Sequence, residues 1–412
     1  MKSSKTPLFL LAVIAIILSA CSDDEDITQT VQPPDAYSFE RDGQSTVSFS
    51  GQTTRIQMAN EMAAKFLDFS TTEEILLQQF RNEGANGEDV APFNSADLNT
   101  ATKSIRSKTA ASRDYFSANA TDAIAIRNEF ESWIAGQINE VFPNENTVAE
   151  PGIAGQIADG SSTRYVNDQG LEYNQAFTKS LIGALMVDQM LNNYLSTSVL
   201  DEADNQATNT DEIVEAGSNY TTMEHKWDEA YGYLYGNAQN PADPNALLGE
   251  ADDYLNKYLG RVEGNDDFTG IANDIFNAFA LGRAAIVAND YELRDVQANI
   301  IRQKVSEIIG IRAVYYLING KNALPDDRSN TALYGTTFHD LSEGYGFIYS
   351  LQFTRMPNSN QPYFTKAEVE NMLADLMGDG PNGLWDVQET TLDQLAEEIA
   401  AKFEFTVAQA AS

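Results

Sequence analysis

Two matching stretches decide how this chain folds: His225-Lys226-Trp227-Asp228-Glu229-Ala230-Tyr231-Gly232-Tyr233-Leu234-Tyr235 and His339-Asp340-Leu341-Ser342-Glu343-Gly344-Tyr345-Gly346-Phe347-Ile348-Tyr349. They contain the only two histidines of the chain, and each follows a Thr-Thr pair, Thr221-Thr222 and Thr336-Thr337. Upstream of each lies a long helical stretch with a similar core, Leu181-Ile182-Gly183 and Ile308-Ile309-Gly310. Agreement over this length points to internal duplication, with pseudo-repeats at about 37–240 and 243–405.

On an α-helix, offsets 0, +4, +7 and +8 share one face. His225, Glu229, Gly232 and Tyr233 therefore line a stripe in the first copy, and His339, Glu343, Gly346 and Phe347 line it in the second. The glycines allow another backbone to approach. Trp227, Leu234, Leu341 and Ile348 lie on the opposite face, so both helices are apolar on two sides and are expected at the centre, with the His/Glu stripe buried. A buried carboxylate must be paired. Three partners are open: the histidine at i−4 or an arginine in apolar sequence such as Arg283 or Arg312; a metal held by His225, Glu229, His339 and Glu343 together, a set that suits iron, zinc or manganese; or a haem-type ligand held by a histidine.

The remaining periodicity is helical. Residues 37–50 alternate around Asp42-Gly43 and read as a β-hairpin, with little other sheet expected. Ser70 with Glu73 reads as a capping box, and Ile126 to Val141 carries a helical stripe that Pro143 ends. Helices are predicted at about 171–196, 222–236, 245–262, 267–289, 291–319, 337–353, 365–377 and 390–403, with loops at 143–170 and 201–218. The fold class is all-α, a pseudo-symmetric duplicated bundle with a short N-terminal hairpin.

The start of the chain is an export signal: Lys2 and Lys5, an apolar run from Leu8 to Leu18, then Ser19-Ala20-Cys21. Leu18-Ser19-Ala20-Cys21 resembles the lipobox of bacterial lipoproteins, which implies removal of residues 1–20 and acylation of Cys21. Residues 21–36 form an acidic tether, and its Ser22-Asp23-Asp24-Glu25-Asp26 resembles the signal that carries lipoproteins of one Gram-negative phylum to the cell exterior. The expected location is the outer membrane, lipid-anchored and surface-exposed. Cys21 is the only cysteine, so disulfides and thiolate metal sites are excluded. A net charge of −35 argues against nucleic acid or anionic lipid headgroups as partners.

At the repeated motifs the chain resembles the imelysin-like proteins, exported and often lipid-anchored helical proteins built from two duplicated bundles and associated with iron regulation. Tyr37-Ser-Phe-Glu-Arg41, Ser45-Thr-Val47, Gly51-Gln-Thr53, Trp227-Asp-Glu-Ala-Tyr-Gly232 and Leu341-Ser-Glu-Gly-Tyr-Gly346 resemble an uncharacterised lipoprotein family related to them. Imelysins carry a GxHxxE motif proposed to bind metal. Here Met223 stands two before His225, and the acid common to both copies lies four after the histidine; Asp228 has the imelysin spacing, but Ser342 replaces it in the second copy. The resemblance implies a non-enzymatic lipoprotein that binds metal or an iron-containing ligand, or assists its uptake. The alternative is a protein- or glycan-interaction module, with structural His/Glu motifs and working loops at 143–169, 200–218 and 354–364. No HExxH is present, and a carboxylate hydrolase ranks last.

Overall fold

The computed structural model describes residues 31–412. The signal segment, Cys21 and the acidic run behind it lie outside the described residues. The N-terminal hairpin is real but short: β1 (Glu40–Arg41) pairs with β2 (Gln44–Ser45) across Asp42 and Gly43. Both turn residues have positive φ, 55° and 73°, which suits a two-residue hairpin turn. The flanking aromatic residues leave the ladder to bury themselves. Tyr37 stacks on Tyr231 with ring centroids 3.7 Å apart.

The helices that position the site are α1 (Ser50–Lys65), α2 (Glu73–Arg81), α3 (Ala120–Gly136), α4 (Tyr173–Leu181), α5 (Thr222–Tyr235), α6 (Leu255–Glu263), α7 (Ile271–Val287), α8 (Tyr291–Asn322), α9 (Gly335–Ser350), α10 (Lys366–Leu376) and α11 (Glu389–Lys402). Three sequence expectations need correction. The cap of α2 is Thr72, whose hydroxyl accepts from the Ile75 amide at 3.3 Å, not Ser70. The helix expected from 245 begins at Leu255, because Asn256 and Asp252 bond the amides of Gly249 and Tyr254 and hold the approach as a loop. The long loop at 143–170 contains a second hairpin, β3 (Gly155–Asp159) against β4 (Ser162–Val166), which buries Ile157 and Val166.

The motif helices α5 and α9 are central because glycines let them be covered on two sides. A Cβ at Gly232 would overlap Phe49 at the head of α1, and one at Gly346 would overlap Lys179 of α4. On the other face, Trp227 of α5 fills the space left by Gly282 of α7, and Leu341 of α9 fills that left by Gly320 of α8. Trp227 and Leu341 both stand two residues after their histidine, so the units α1–α5–α7 and α4–α9–α8 repeat one packing scheme. These units interleave along the chain within the one compact unit Gln32–Ser412. The upstream glycines are not equivalent: Gly183 meets Ser350 of α9, whereas Gly310 meets Phe403.

The contact between α4 and α9 changes the helix itself. The Ser350 hydroxyl donates to the Lys179 carbonyl at 2.9 Å and accepts from the Gly183 amide at 3.1 Å. Those two groups would otherwise bond each other in the i to i−4 ladder, and the inserted hydroxyl widens the helix into the π-helical stretch Ile182–Val187.

Adding a methyl group at this crossing should separate the two helices. Gly346→Ala is expected to reduce unfolding free energy by about 1–3 kcal/mol in urea titrations, the usual range for overpacking. An unchanged midpoint would show that the crossing is looser than described.

Candidate functional site

In the first copy the polar groups close on themselves. Thr221 and Glu224 form a capping box at the start of α5, and Glu224 also receives Arg283 at 3.1 Å and Arg41 at 3.0 Å. Asp228 accepts from the Tyr37 hydroxyl at 2.7 Å, the Ser48 amide at 3.1 Å and Arg283 Nε at 3.2 Å. Arg283, fully buried, also donates to Thr46 at 2.9 Å and lies over the Phe39 ring. One guanidinium thus fastens the N-terminal segment to α5 and α7. Burial pushes the Asp228 carboxyl up to about 6, with the Arg283 charge acting against it, so the group is ionised at neutral pH.

His225 and Glu229 lie at the edge of this clamp and are only half-buried. His225 Nδ1 donates to the Ser48 carbonyl at 3.1 Å, and its ring stacks on Tyr220. Glu229 accepts from Gln52 at 3.0 Å and pairs with Lys226 at 2.7 Å. Burial raises the Glu229 carboxyl, but the nearby Lys226 and His225 outweigh it and the net direction is down.

The second copy keeps the same frame with different chemistry. Ser342, at the position of Asp228, accepts from the Glu172 amide at 2.9 Å, as Asp228 does from Ser48. His339 Nδ1 meets Glu172 Oε1 at 3.1 Å, as His225 meets the Ser48 carbonyl. In each copy, therefore, the histidine and the residue three further on grip the segment that leads into the partner helix. Glu343 is nearly buried and lies 3.7 Å from His339 Nε2 and 3.5 Å from Lys179 Nζ, and it accepts from the Tyr258 hydroxyl at 3.2 Å. Burial raises its carboxyl, but Lys179, His339 and Arg312 hold it below its ordinary value. Phe338 stands where the first copy has Glu224, so the closed carboxylate network is absent.

Here the motif reaches open space. Two cavities of about 390 and 340 Å³ adjoin His339 and Glu343. Asn174, Lys179 and Tyr254 line the first, and Tyr258, Arg312, Tyr316 and Asp340 line the second. Lys257 borders both.

The structure brings His339 together with Glu343, but it does not unite the two copies. His225 and Glu229 share no hydrogen bond or ion pair with His339 and Glu343 among the described residues. No group of three or more His, Cys, Asp or Glu side chains among the described residues is placed to hold a metal ion. Of the stripe expected to be buried, the glycines, Tyr233, Phe347 and Glu343 are buried, whereas His225, Glu229 and His339 are only half-buried. Arg283 is a carboxylate partner as anticipated, but of Glu224 and Asp228 and not of Glu229. Neither Glu172, which stands in extended backbone just ahead of α4, nor Lys179, which lies between the polar residues Thr178 and Ser180, carries a local signal of its role in the sequence.

Two measurements test this electrostatic description. Arg283→Met leaves two buried carboxylates without their shared cation and should cost about 3–5 kcal/mol of unfolding free energy; Glu229→Gln, whose charged partner Lys226 is partly exposed, should cost about 1 kcal/mol or less. For His339, burial lowers the imidazole, but the Glu172 hydrogen bond and the charges of Glu172 and Glu343 outweigh it, so its folded value lies above 6.5. A raised value means its stabilising contribution is complete below 6.5 and is lost as pH rises through the folded value. The melting temperature of the wild type should exceed that of His339→Gln most at mildly acid pH, and the gap should close in alkali. A gap that widens with pH would refute the assignment.

No helix among the described residues is long and apolar enough to cross a membrane. No curated protein and no solved structure matches this chain. The family model described as a domain of unknown function, DUF4856, matches residues 34–406. That match covers nearly all of the sequence, and the chain belongs to the DUF4856 family.

Proposed function

We propose that the protein is a non-catalytic, lipid-anchored binding protein of the outer membrane, and that its ligand is a metal-bearing, in particular iron-containing, small molecule received in the cleft at His339 and Glu343. The observation that carries this reading is the divergence of the copies. One motif is locked by a fully buried guanidinium between two carboxylates, and the other lacks both carboxylates and borders two cavities. The relation to imelysin-like proteins is part of the proposal, supported by the duplicated His/Glu helices and the lipobox at Cys21.

In the cleft, Glu172 fixes His339 Nδ1 and leaves Nε2 directed toward Glu343, the arrangement by which an outer carboxylate orients a metal-binding imidazole. Glu343 already carries the charge of Lys179. That balance favours a metal arriving with its own ligands over a bare cation, which Lys179 and Arg312 would repel. The first copy keeps the scaffold in register and takes no part in binding.

Calorimetric titration of the full chain with ferric nitrilotriacetate tests this reading. Binding near one per chain is expected, weakened at least tenfold by His339→Ala or Glu343→Gln and unchanged by His225→Ala. Absence of binding in the wild type, or equal loss on changing His225, would overturn it.

A further inference from the structure

The second cavity contains a cation without a counter-ion. Arg312 is 6% exposed, and its Nε has no hydrogen-bond partner among the described residues. Its guanidinium is held by aromatic faces, with Cζ 3.8 Å from the Tyr315 centroid, 4.6 Å from Tyr316 and 5.6 Å from Tyr258. Glu343, a carboxylate of the same cavity, is taken up by Lys179 and His339. Buried guanidinium groups are ordinarily paired, and those of Arg283 and Arg294 in this protein are.

The surroundings reinforce the positive charge. Lys257 and Arg261 stand one helical turn apart on α6 and line the same cavity as Arg312. Asp340 is the other acid on the wall. In a chain of net charge −35, three basic side chains gather here within an aromatic lining, facing Asp340 and Glu343, and Lys257 also pairs with Asp253 at 3.0 Å. The tyrosines keep water away from the guanidinium, which strengthens any charge-assisted hydrogen bond formed there.

We infer that Arg312, with Lys257 and Arg261 at the rim, forms an oxyanion-binding subsite for a carboxylate or phosphate group borne by a small ligand. Arg312 supplies the oriented donors, and the two α6 side chains draw the anion in and close over it. The inference rests on this cleft being the receiving site but requires no metal, so metal-free probes separate its fate from that of the iron reading.

The experiment is calorimetric titration of the full chain with sodium succinate and, separately, inorganic phosphate, each against sodium chloride of equal ionic strength. Saturable binding of at least one probe is expected; succinate alone identifies a carboxylate subsite, and phosphate alone a phosphate subsite. Arg312→Met should weaken it at least tenfold. Because that variant alters a buried position, Lys257→Ala with Arg261→Ala, both nearer the surface, provides a second reading and should weaken binding at least fivefold, while Lys402→Ala on α11 should leave it unchanged. Heats no different from chloride for both probes, or binding unaffected by the α6 double variant, would overturn the subsite whether or not ferric nitrilotriacetate binds.

Discussion

A helix packed closely on two sides must gather its polar side chains along the seam that remains, and this constraint governs both motif helices. Glycines at 232 and 346 admit one neighbour, while Trp227 and Leu341 press into glycines 282 and 320 of another. Histidine and glutamate, one turn apart, are left at the edge of the contact, where they secure the segment leading into the partner helix. The physical reason for keeping those residues is thus first architectural. Each histidine holds the residue that starts α1 or α4 in register.

The same frame has been put to two uses. In the first copy, Asp228 and Glu224 enclose Arg283, and Tyr37, Thr46 and Ser48 complete the hydrogen bonding, so little is left to offer a ligand. Charges buried so completely contribute register and rigidity more readily than net stability. In the second copy, Phe338 and Ser342 remove both carboxylates. Lys179 is then balanced by Glu343, while Arg312 has no ion-pair partner among the described residues and shares its cavity with Lys257 and Arg261 as well as with Asp340 and Glu343. The local difference between the two motifs lies in two side chains, Glu224 against Phe338 and Asp228 against Ser342.

Much of this was legible in the sequence. The repeated motif, the helices at α5, α8, α9, α10 and α11, the N-terminal hairpin turn and the close approach at Gly232 and Gly346 all follow from local periodicity and residue size. What escaped is non-local. The β3–β4 hairpin reads as loop because polar residues dominate it, and only Ile157 and Val166 mark its buried face. Equal motifs suggest facing helices, whereas each motif helix packs on α1 or α4 and the two histidines bond the Ser48 carbonyl and Glu172. Glu172 and the Arg312–tyrosine cluster depend on how α4, α6 and α8 meet, which no spacing along the chain encodes.

The central claim is that the two copies have diverged into a clamp and a receptor. Amide hydrogen exchange on the full chain, with and without saturating succinate and, separately, inorganic phosphate, addresses it directly. Added protection should concentrate in α6 and the first turns of α9, with residues 41–48 and 221–229 unaltered. Protection centred on the Arg283 clamp, or none anywhere, would contradict the division of roles.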